Sequence, residues 1–313
     1  MRAIGVDLGG TNLRVALVDL CGDEARVERV ARGELASDTR PMAVIGLLQR
    51  LIGELGELEG ELPVGIGFAG MLRMASGVVE NAPNLGWREV PFVALASQAL
   101  GRRVWLENDV AAITWGEVRF GAARGLRDVV GAFVGTGVGG GAVLDGRPFR
   151  GATGASLEIG HVKVFPGGRR CGCGARGCLE AYAGGRHVVE RARESASAAL
   201  LELVGGREEE LHAGHVEQAA RAGDAACAQV MEEAAQALGR GLADAVTLIN
   251  PEGLVMGGTV WRGCPGLRKQ VVEIIFEMAN APARGPLRVL ESQRESDAGM
   301  VGAADLALAA RAA

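Results

Sequence analysis

The chain has 313 residues, 48% of them hydrophobic and 23% charged, with a formal net charge of -5. This composition is that of an ordinary globular protein, and the length suits two lobes better than one compact core. The acidic balance and the lack of a long basic run argue against nucleic acid or a membrane surface as a partner.

The start of the chain and its hydropathy indicate the compartment. The strand pattern Ile4–Asp7 begins almost at once, without the charged and apolar regions of a signal peptide. No uninterrupted apolar run approaches the ~20 residues that a membrane-spanning helix needs. We therefore expect a cytoplasmic protein, in which thiols stay reduced and available to metal.

The first part of the chain alternates strands with helices. Apolar runs predict strands over Ala3–Leu8 and Leu13–Leu20, joined by a glycine hairpin, and a third strand over Arg26–Glu34. Apolar spacing then predicts a helix after Pro41, a strand over Leu62–Phe68, a helix over Val90–Leu100, a strand over Val104–Glu107 and a helix over Val110–Arg119.

The second part repeats this order from Asp128 onward. A strand over Val129–Val134, a glycine-rich turn over Gly135–Gly141 and a return strand over Ala142–Leu144 come first. Later elements are a long helix over Asp224–Asn250, a strand over Leu254–Met256, a helix over Gly266–Met278, a strand over Leu287–Leu290 and a helix over Ala298–Ala312. Because strand, glycine turn and strand occur twice, we expect an α/β protein with two similar lobes around a cleft.

One glycine-rich segment carries four metal-ligating side chains: His161, Cys171, Cys173 and Cys178. Three thiolates and one imidazole form a complete tetrahedral set for zinc. Cys171 and Cys173 are too close for an easy disulfide with each other, although a redox pair with a spare thiol is the alternative. Glu158 and Glu180 flank the segment, and carboxylates held by a metal site are suited to hydrogen bonding a polyhydroxy ligand. We expect structural zinc that builds a sugar site.

The first glycine turn follows Asp7 and consists of Gly9, Gly10, Thr11 and Asn12. Glycines leave backbone N–H groups free to approach a phosphate, and the threonine and asparagine add donors. Asp7 could hold Mg²⁺ through water, since that ion keeps much of its hydration. A plain hairpin turn is the alternative.

The second glycine turn offers the residues Gly135, Thr136, Gly137 and Gly139. It lacks the lysine of a Walker A loop and is followed by a strand, so neither that loop nor the dinucleotide fingerprint fits. A surface turn is the alternative. Two such turns at equivalent places nevertheless resemble the paired phosphate loops of the actin, sugar-kinase and heat-shock ATPase fold. In this fold, Gly257 and Gly258 would let adenine and ribose lie against the backbone.

The triplet Glu107-Asn108-Asp109 lies at a strand-to-helix junction. A helix cap explains one of these polar residues and leaves the others unexplained. A carboxylate here could accept the proton of an attacking hydroxyl, as the catalytic aspartate of kinases does. Glu107 would point to the opposite face of the strand, which indicates a structural role.

Together these motifs resemble the ROK family (repressors, open reading frames and sugar kinases), from residue 4 to about residue 305. The resemblance implies a bilobal actin-like ATPase fold, also called ribonuclease H-like. It implies a small lobe over residues 1–118, to which the C-terminal helix 298–313 returns, and a large lobe over residues 119–297 that contains the zinc segment 158–180.

Carried over residue by residue, the resemblance makes Asp109 the catalytic base. It makes sugar contacts of Gly70, Asn108, Asp109, Glu158, His161 and Glu180, and zinc ligands of His161, Cys171, Cys173 and Cys178. Two positions depart from the family pattern. Ala69 stands where proline is usual, and Thr259 replaces a third glycine after Gly258.

The function that the resemblance implies is ATP-dependent phosphorylation of a hexose, most simply glucose to glucose 6-phosphate, with Mg²⁺ and structural Zn²⁺. The alternatives are another hexose (N-acetylmannosamine, N-acetylglucosamine, fructose or allose) or a non-catalytic, sugar-responsive regulator. Asp109 and both glycine turns argue against the regulator. Only six residues precede Asp7, where the family's repressors carry a DNA-binding domain. We expect a homo-oligomer, a dimer or a tetramer, without a nucleic-acid or membrane partner.

Overall fold

The computed structural model describes residues 1–35, 37–194, 198–294 and 297–312. They form two compact units, the first within Met1–Gly131, Gly141–Ser156 and Ser292–Ala313, the second within Ala132–Gly140 and Leu157–Glu291. The lobe limits proposed from the sequence stay predictions, and residue 313 of the predicted last helix lies outside the described residues. In the described part, no helix has both the length and the apolarity to cross a membrane.

The strands, in chain order, are β1 Arg2–Leu8, β2 Asn12–Cys21, β3 Glu24–Glu34, β4 Val64–Phe68, β5 Met71–Arg73, β6 Val78–Ala82, β7 Trp87–Val90, β8 Val104–Asn108, β9 Val129–Val134, β10 Val138–Leu144, β11 Arg147–Pro148, β12 Gly253–Gly257 and β13 Arg288–Glu291. The helices are α1 Pro41–Glu54, α2 Phe92–Leu100, α3 Asp109–Phe120, α4 Glu180–Ala183, α5 Gly185–Glu194, α6 Ala198–Glu202, α7 Ala213–Arg221, α8 Ala225–Ile249, α9 Thr259–Gly263, α10 Pro265–Met278, α11 Ala281–Arg284 and α12 Ala298–Ala312.

The main sheet of the first unit has the order β3-β2-β1-β4-β8. Its central strand β1 is antiparallel to β2 and parallel to β4, which in turn is parallel to β8. Side chains alternate along a strand, so β1 covers two cores. Ile4, Val6 and Leu8 pack with α1 in one core, and Ala3 packs with α12 in the other.

Helix α12 lies directly on this sheet because two glycines face it. A Cβ on Gly5 would overlap the carbonyl oxygen of Met300, and a Cβ on Gly65 would overlap that of Ala303. Larger residues at these positions would push the helix away. The close fit therefore depends on the glycines in β1 and β4.

The second large sheet has the order β11-β10-β9-β12-β13, in which β12 and β13 are parallel. In the second unit the long helix α8 packs against α4, α7 and α10. It begins after Asp224, whose side chain accepts the N–H of Cys227 at 2.9 Å, and it ends at Asn250 in the left-handed conformation. These caps explain why the predicted limits, Asp224–Asn250, lie one residue outside the helix.

Two sequence-based expectations about secondary structure are corrected. A small sheet with the order β5-β6-β7 was not expected, and Val90 ends its last strand instead of starting a helix. The turn predicted over Gly135–Gly141 is shorter, because β10 already begins at Val138. Gly139 thus lies inside a strand, where pairing within the sheet outweighs the weak intrinsic preference of glycine.

Candidate active site

Three parallel strands of the first unit end together at one edge of the sheet. The register pairs Leu8 with Phe68 and Phe68 with Asn108. The glycine turn follows β1, Gly70 follows β4 and Asp109 follows β8. In open α/β sheets, ligands bind outside the carboxyl ends of the strands. The pairing therefore brings the predicted phosphate turn, sugar loop and base to the same edge.

Asn108 and Asp109 form the beginning of α3. Asn108 is the N-cap residue, and its Oδ1 accepts the N–H of Ala111 at 3.0 Å. Asp109 Oδ1 accepts the N–H of Val110 at 2.9 Å. Both residues are half-buried. The capping role considered from the sequence belongs to Asn108, and it fixes the carboxylate that follows at the end of the strand.

Glu107 pairs with Arg150, a residue that the sequence did not indicate. Its buried carboxylate accepts Arg150 Nε at 2.8 Å and the N–H of Asn108 at 3.3 Å. Burial raises the pKa of Glu107, and the Arg150 charge opposes that rise. The guanidinium also lies 5.5 Å from the ring centroid of Trp105. No local sequence signal links the two partners, which are 43 residues apart.

The first glycine turn is closed by the N–H of Gly9, which donates to the carbonyl of Asn12 at 3.0 Å. Asp7 accepts Arg14 Nε on Oδ2 at 3.0 Å, and the Arg14 Nη2 reaches the same oxygen. Thr11 is exposed, and a Cβ on Gly10 would lie 2.8 Å from Asn84 Cβ. Arg14 and Asn84 therefore lie beside the turn residues that were predicted from the sequence. A carboxylate oxygen of Asp7 is the type of donor that Mg²⁺ prefers.

The loop after β4 differs from the family pattern in a way that the structure explains. Ala69 donates its N–H to the carbonyl of Leu8 at 3.2 Å, a bond that the usual proline would lack. Gly70 follows, and a Cβ there would lie 2.7 Å from Phe68 Cε1. The loop is thus fixed to β1 by its own hydrogen bond, and Gly70 is required by the neighbouring ring.

In the second unit, the second glycine turn is formed by Gly135–Gly137. The N–H of Gly135 donates to the carbonyl of Gly137 at 3.0 Å. Thr136 is exposed at the tip. Gly140, in β10, is needed for packing, since a Cβ there would overlap the carbonyl of Leu157. The turn itself, rather than the glycines of β10, is therefore the part whose tip is exposed to a ligand.

A cavity of about 620 Å³ opens beside this turn within the second unit. Its wall includes Gly135 and Thr136 and parts of three helices. The helical residues are Gly185, Arg186, Val189, Glu190 and Arg193 of α5, Ala213 and Gly214 of α7, and Thr259, Val260 and Gly263 of α9. Such a volume fits a small organic ligand. The polar residues of α5 were not predicted, because their spacing is that of an ordinary charged helix face.

The predicted glycine pair 257–258 leads into the cavity wall rather than forming it. Gly257 is the buried last residue of β12. A Cβ on Gly258, whose φ is 95°, would overlap the carbonyl of Val134. Thr259 follows and lines the cavity. The pair is needed for close packing on β9 and for placing α9. The adenosine contact expected from the sequence stays a prediction.

The four predicted metal ligands meet in one cluster. Their ligand atoms all lie within 4.8 Å of one another, which holds for no other group of three or more such residues in the described chain. Cys173 and Cys178 Sγ are 3.7 Å apart, as are Cys171 Sγ and His161 Nδ1. A tetrahedral zinc site with Zn–S bonds of roughly 2.3 Å requires sulfur atoms roughly 3.8 Å apart. The donors therefore fit zinc, and all three cysteines are free thiols.

The two carboxylates beside this cluster have different surroundings. Glu158 is exposed and precedes a short 3-10 turn over Ile159–His161. Glu180 is half-buried at the start of α4. Its Oε2 accepts the N–H of Val138 at 2.9 Å, and its Oε1 lies 3.8 Å from Cys171 Sγ. The structure thus connects one predicted sugar ligand to both the metal cluster and the second glycine turn.

Known proteins resemble the chain over nearly its whole length. The sequence profile of the ROK family matches residues 3–310. A glucokinase of Streptomyces coelicolor is 33% identical over 315 residues, covering 97% of this chain and 96% of its own length. A glucokinase of Thermotoga maritima is 34% identical over 310 residues, with 98% and 97% covered.

A solved structure shows the same likeness in three dimensions. It is a ROK family glucokinase from Streptomyces griseus in complex with glucose and AMPPNP. It is 33% identical, covers 99% of this chain and 100% of its own, and superimposes with a TM-score of 0.82. The similarity extends across both units and confirms the α/β actin-like ATPase fold predicted from the sequence.

Proposed function

Because the chain belongs to the ROK family over nearly its whole length, we propose that it transfers the γ-phosphoryl group of ATP to oxygen 6 of glucose. The predicted enzyme class, an ATP-dependent hexose kinase, is confirmed by the relatives named glucokinase. Glucose as the acceptor agrees with the glucose-bound relative. The roles of individual residues are our assignments.

The observation that carries these assignments is the position of Asp109. Its carboxylate stands at the carboxyl edge of the first sheet, and the capped N-terminus of α3 fixes it there. The first glycine turn and Gly70 follow the two neighbouring strands at the same edge. A base, a phosphate turn and a sugar loop are the three elements that phosphoryl transfer to a hydroxyl needs.

In the proposed step, Asp109 accepts the proton of the O6 hydroxyl while O6 forms a bond to the γ-phosphorus. The bond from that phosphorus to the bridging oxygen of ATP breaks, and ADP leaves with the electron pair. General-base assistance of this kind contributes roughly 10²–10⁴-fold. Correct placement of the two reactants supplies a larger part of the rate.

Backbone amides of the two glycine turns are assigned to the phosphates. Arg14, which pairs with Asp7, adds a positive charge beside the first turn. Mg²⁺ accompanying the nucleotide would neutralise charge on the phosphates, and Asp7 is the carboxylate we assign to it. The cavity beside Gly135 and Thr136 is assigned to the nucleoside.

Hydroxyl groups of the sugar are assigned to Gly70, Asn108, Asp109, Glu158, His161 and Glu180. Zinc, held by His161 and the three clustered cysteines, would have a structural role in this scheme. The Cys173–Cys178 and Cys171–His161 distances support that assignment, since both match a tetrahedral site. Its expected effect is to fix the loop that bears Glu158 and Glu180, without chemistry on the substrate.

The test is a coupled assay for ADP release with glucose, N-acetylmannosamine, N-acetylglucosamine, fructose and allose. We expect the highest kcat/KM with glucose, and phosphorus NMR should place the phosphate on O6. Preference for another hexose would identify that sugar, instead of glucose, as the substrate. Sugar binding without ADP release from any member of the panel would instead favour the regulator. Cytoplasmic location, homo-oligomerisation and the lack of a nucleic-acid partner stay predictions.

A further inference from the structure

The second glycine turn is held along its length by one stretch of chain, the start of α4 and α5. The N–H of Val138 donates to Glu180 Oε2 at 2.9 Å. The N–H of Gly185 donates to the carbonyl of Gly135 at 2.8 Å, and that of Arg186 to the carbonyl of Thr136 at 3.2 Å. Two of these three bonds join backbone to backbone, and the third is made by the Glu180 side chain.

The same carboxylate is adjacent to the metal cluster. Its other oxygen, Oε1, lies 3.8 Å from Cys171 Sγ. The preceding residue, Leu179, donates its N–H to the carbonyl of Val162 at 2.9 Å, next to His161. Glu180 thus lies between two structures that the sequence presented as separate: the metal segment and the phosphate turn.

Gly137 shows how closely the carboxylate fits against the turn. A Cβ at this position would overlap Glu180 Oε2. By contrast, a Cβ on Gly135 would meet no atom closer than Thr259 Oγ1, at 3.8 Å. The glycine at 137 is therefore required by Glu180, whatever its relation to a phosphate.

We propose that Glu180 is a positioning residue for the nucleotide, in addition to its assigned contact with the sugar. Through Oε2 it fixes the Val138 amide and with it the conformation of the turn over 135–137. Nucleotide affinity should therefore depend on Glu180 even when no sugar is present. This inference rests on the proposed function, because it assigns the turn to the phosphates of ATP.

The expected size follows from the type of bond. A hydrogen bond from an amide to a charged carboxylate is stronger than one between neutral groups, and removing the acceptor leaves the amide without its partner. Loss of this bond should weaken nucleotide binding roughly 10-fold. Gln in place of Glu keeps an acceptor oxygen, so it should restore most of this loss.

The experiment measures AMPPNP affinity by calorimetry in the absence of sugar, and glucose affinity in the absence of nucleotide. Glu180→Ala should weaken both. Glu158→Ala is the matched control, since it removes the other assigned sugar carboxylate, for which no bond to the turn is found within the described residues. It should weaken glucose binding and leave AMPPNP affinity unchanged. Glu180→Gln should bind AMPPNP within about 3-fold of the wild type.

Two further measurements keep the test decisive. Glu180→Asp preserves the charge but shortens the side chain, so it should lose AMPPNP affinity as Glu180→Ala does. It also provides the measurement if Glu180→Ala does not fold. Hydrogen exchange of residues 135–138 should be faster in Glu180→Asp than in Glu158→Ala. Unchanged AMPPNP affinity in both Glu180→Asp and Glu180→Ala would overturn the inference. A wild-type protein that binds no AMPPNP would instead overturn the proposed function.

Discussion

The two glycine turns have similar sequences but are held in different ways. The first is closed within its own hairpin, where Gly9 bonds Asn12 and Asp7 pairs with Arg14, seven residues away. The second has a local bond too, from the N–H of Gly135 to the carbonyl of Gly137, but its Val138 amide is bound by Glu180, which is 42 residues away in sequence. The side-chain pair that holds the first turn is therefore local, whereas the side chain that holds the second belongs to a distant segment that also carries the metal cluster.

This difference predicts that substitutions in the first unit and in the metal segment will affect different properties of the protein. Changes in the first unit should act on the chemical step or on local stability, because its groups are fixed by strand ends and a helix cap. Changes in the metal segment should act on ligand binding, because they release the second turn.

Asp109→Asn should have the largest effect and confine it to the rate. Asparagine can still hydrogen bond the O6 hydroxyl but cannot accept its proton, so kcat should fall roughly 10²–10⁴-fold. Glucose and AMPPNP affinities should stay close to those of the wild type, because neither turn is touched. Steady-state kinetics and calorimetry measure the two quantities. A variant with near-normal kcat would disprove the assignment of the base.

Cys173→Ala should affect binding and stability together. Losing one thiolate removes the closed ligand set, and disturbance of metal surroundings typically costs ~10–100-fold. We expect loss of stoichiometric zinc and a decrease in glucose affinity of at least ~10-fold. AMPPNP affinity should decrease less, through the displacement of Glu180. Elemental analysis of protein purified without chelator, followed by titrations, checks each point.

The matched control is Cys21→Ala, which removes an exposed cysteine outside the cluster. It should retain zinc and both affinities. If the wild type is folded and fully active without stoichiometric zinc, the cluster has another role, and the proposed dependence of the second turn on metal fails with it.

Local signals in the sequence were sufficient for much of this fold. The hairpin of β1 and β2 was predicted within one residue at each end, because both strands are continuous apolar runs around a glycine turn. Helix α8 was predicted one residue too long at each end, because its apolar residues recur at helical spacing, and its two predicted end residues are the caps. The His161 and cysteine spacing indicated a cluster that the structure assembles.

What the sequence could not indicate depends on long-range contacts. Strands β5 to β7 are short and interrupted by proline, asparagine and glycine, and their pairing with each other gives no local pattern. The Glu107–Arg150 and Glu180–Val138 contacts join residues more than 40 positions apart. The polar wall of the cavity, including Arg186 and Glu190, has the spacing of any solvated helix.

Arg150→Met tests a carboxylate of the first unit that is not held locally. It leaves Glu107 buried without its cation, which should lower the free energy of unfolding by about 2 kcal/mol. This is less than the ~3–5 kcal/mol of a fully buried pair, because the Arg150 side chain is 31% exposed. Arg127→Met, which breaks the exposed pair with Asp145, should leave the free energy of unfolding nearly unchanged.

The loss in Arg150→Met should also depend on pH. Burial raises the pKa of Glu107, and removing the opposing Arg150 charge raises it further. A carboxyl group with a raised pKa in the folded state is destabilising when ionised, and protonation relieves this. The deficit of the variant should therefore be full at neutral pH and shrink as the pH falls through the folded pKa. Urea unfolding from pH 8 down to pH 5 measures it, and a deficit that grows on acidification would contradict it.

The smallest effect should come from a pair of glycine substitutions in the second turn. Gly137→Ala places a methyl group where Glu180 Oε2 lies, whereas Gly135→Ala places one 3.8 Å from Thr259 Oγ1. Overpacking of this kind costs about 1 kcal/mol or more, so Gly137→Ala should weaken AMPPNP binding about fivefold. Because the methyl group displaces Glu180, glucose binding should weaken as well, which a purely phosphate-facing glycine would not predict. Gly135→Ala should change AMPPNP affinity by less than about twofold, since its neighbour is at ordinary contact distance. Calorimetry on both variants decides the matter, because equal losses would mean that crowding of the phosphates, and not displacement of Glu180, governs the second turn.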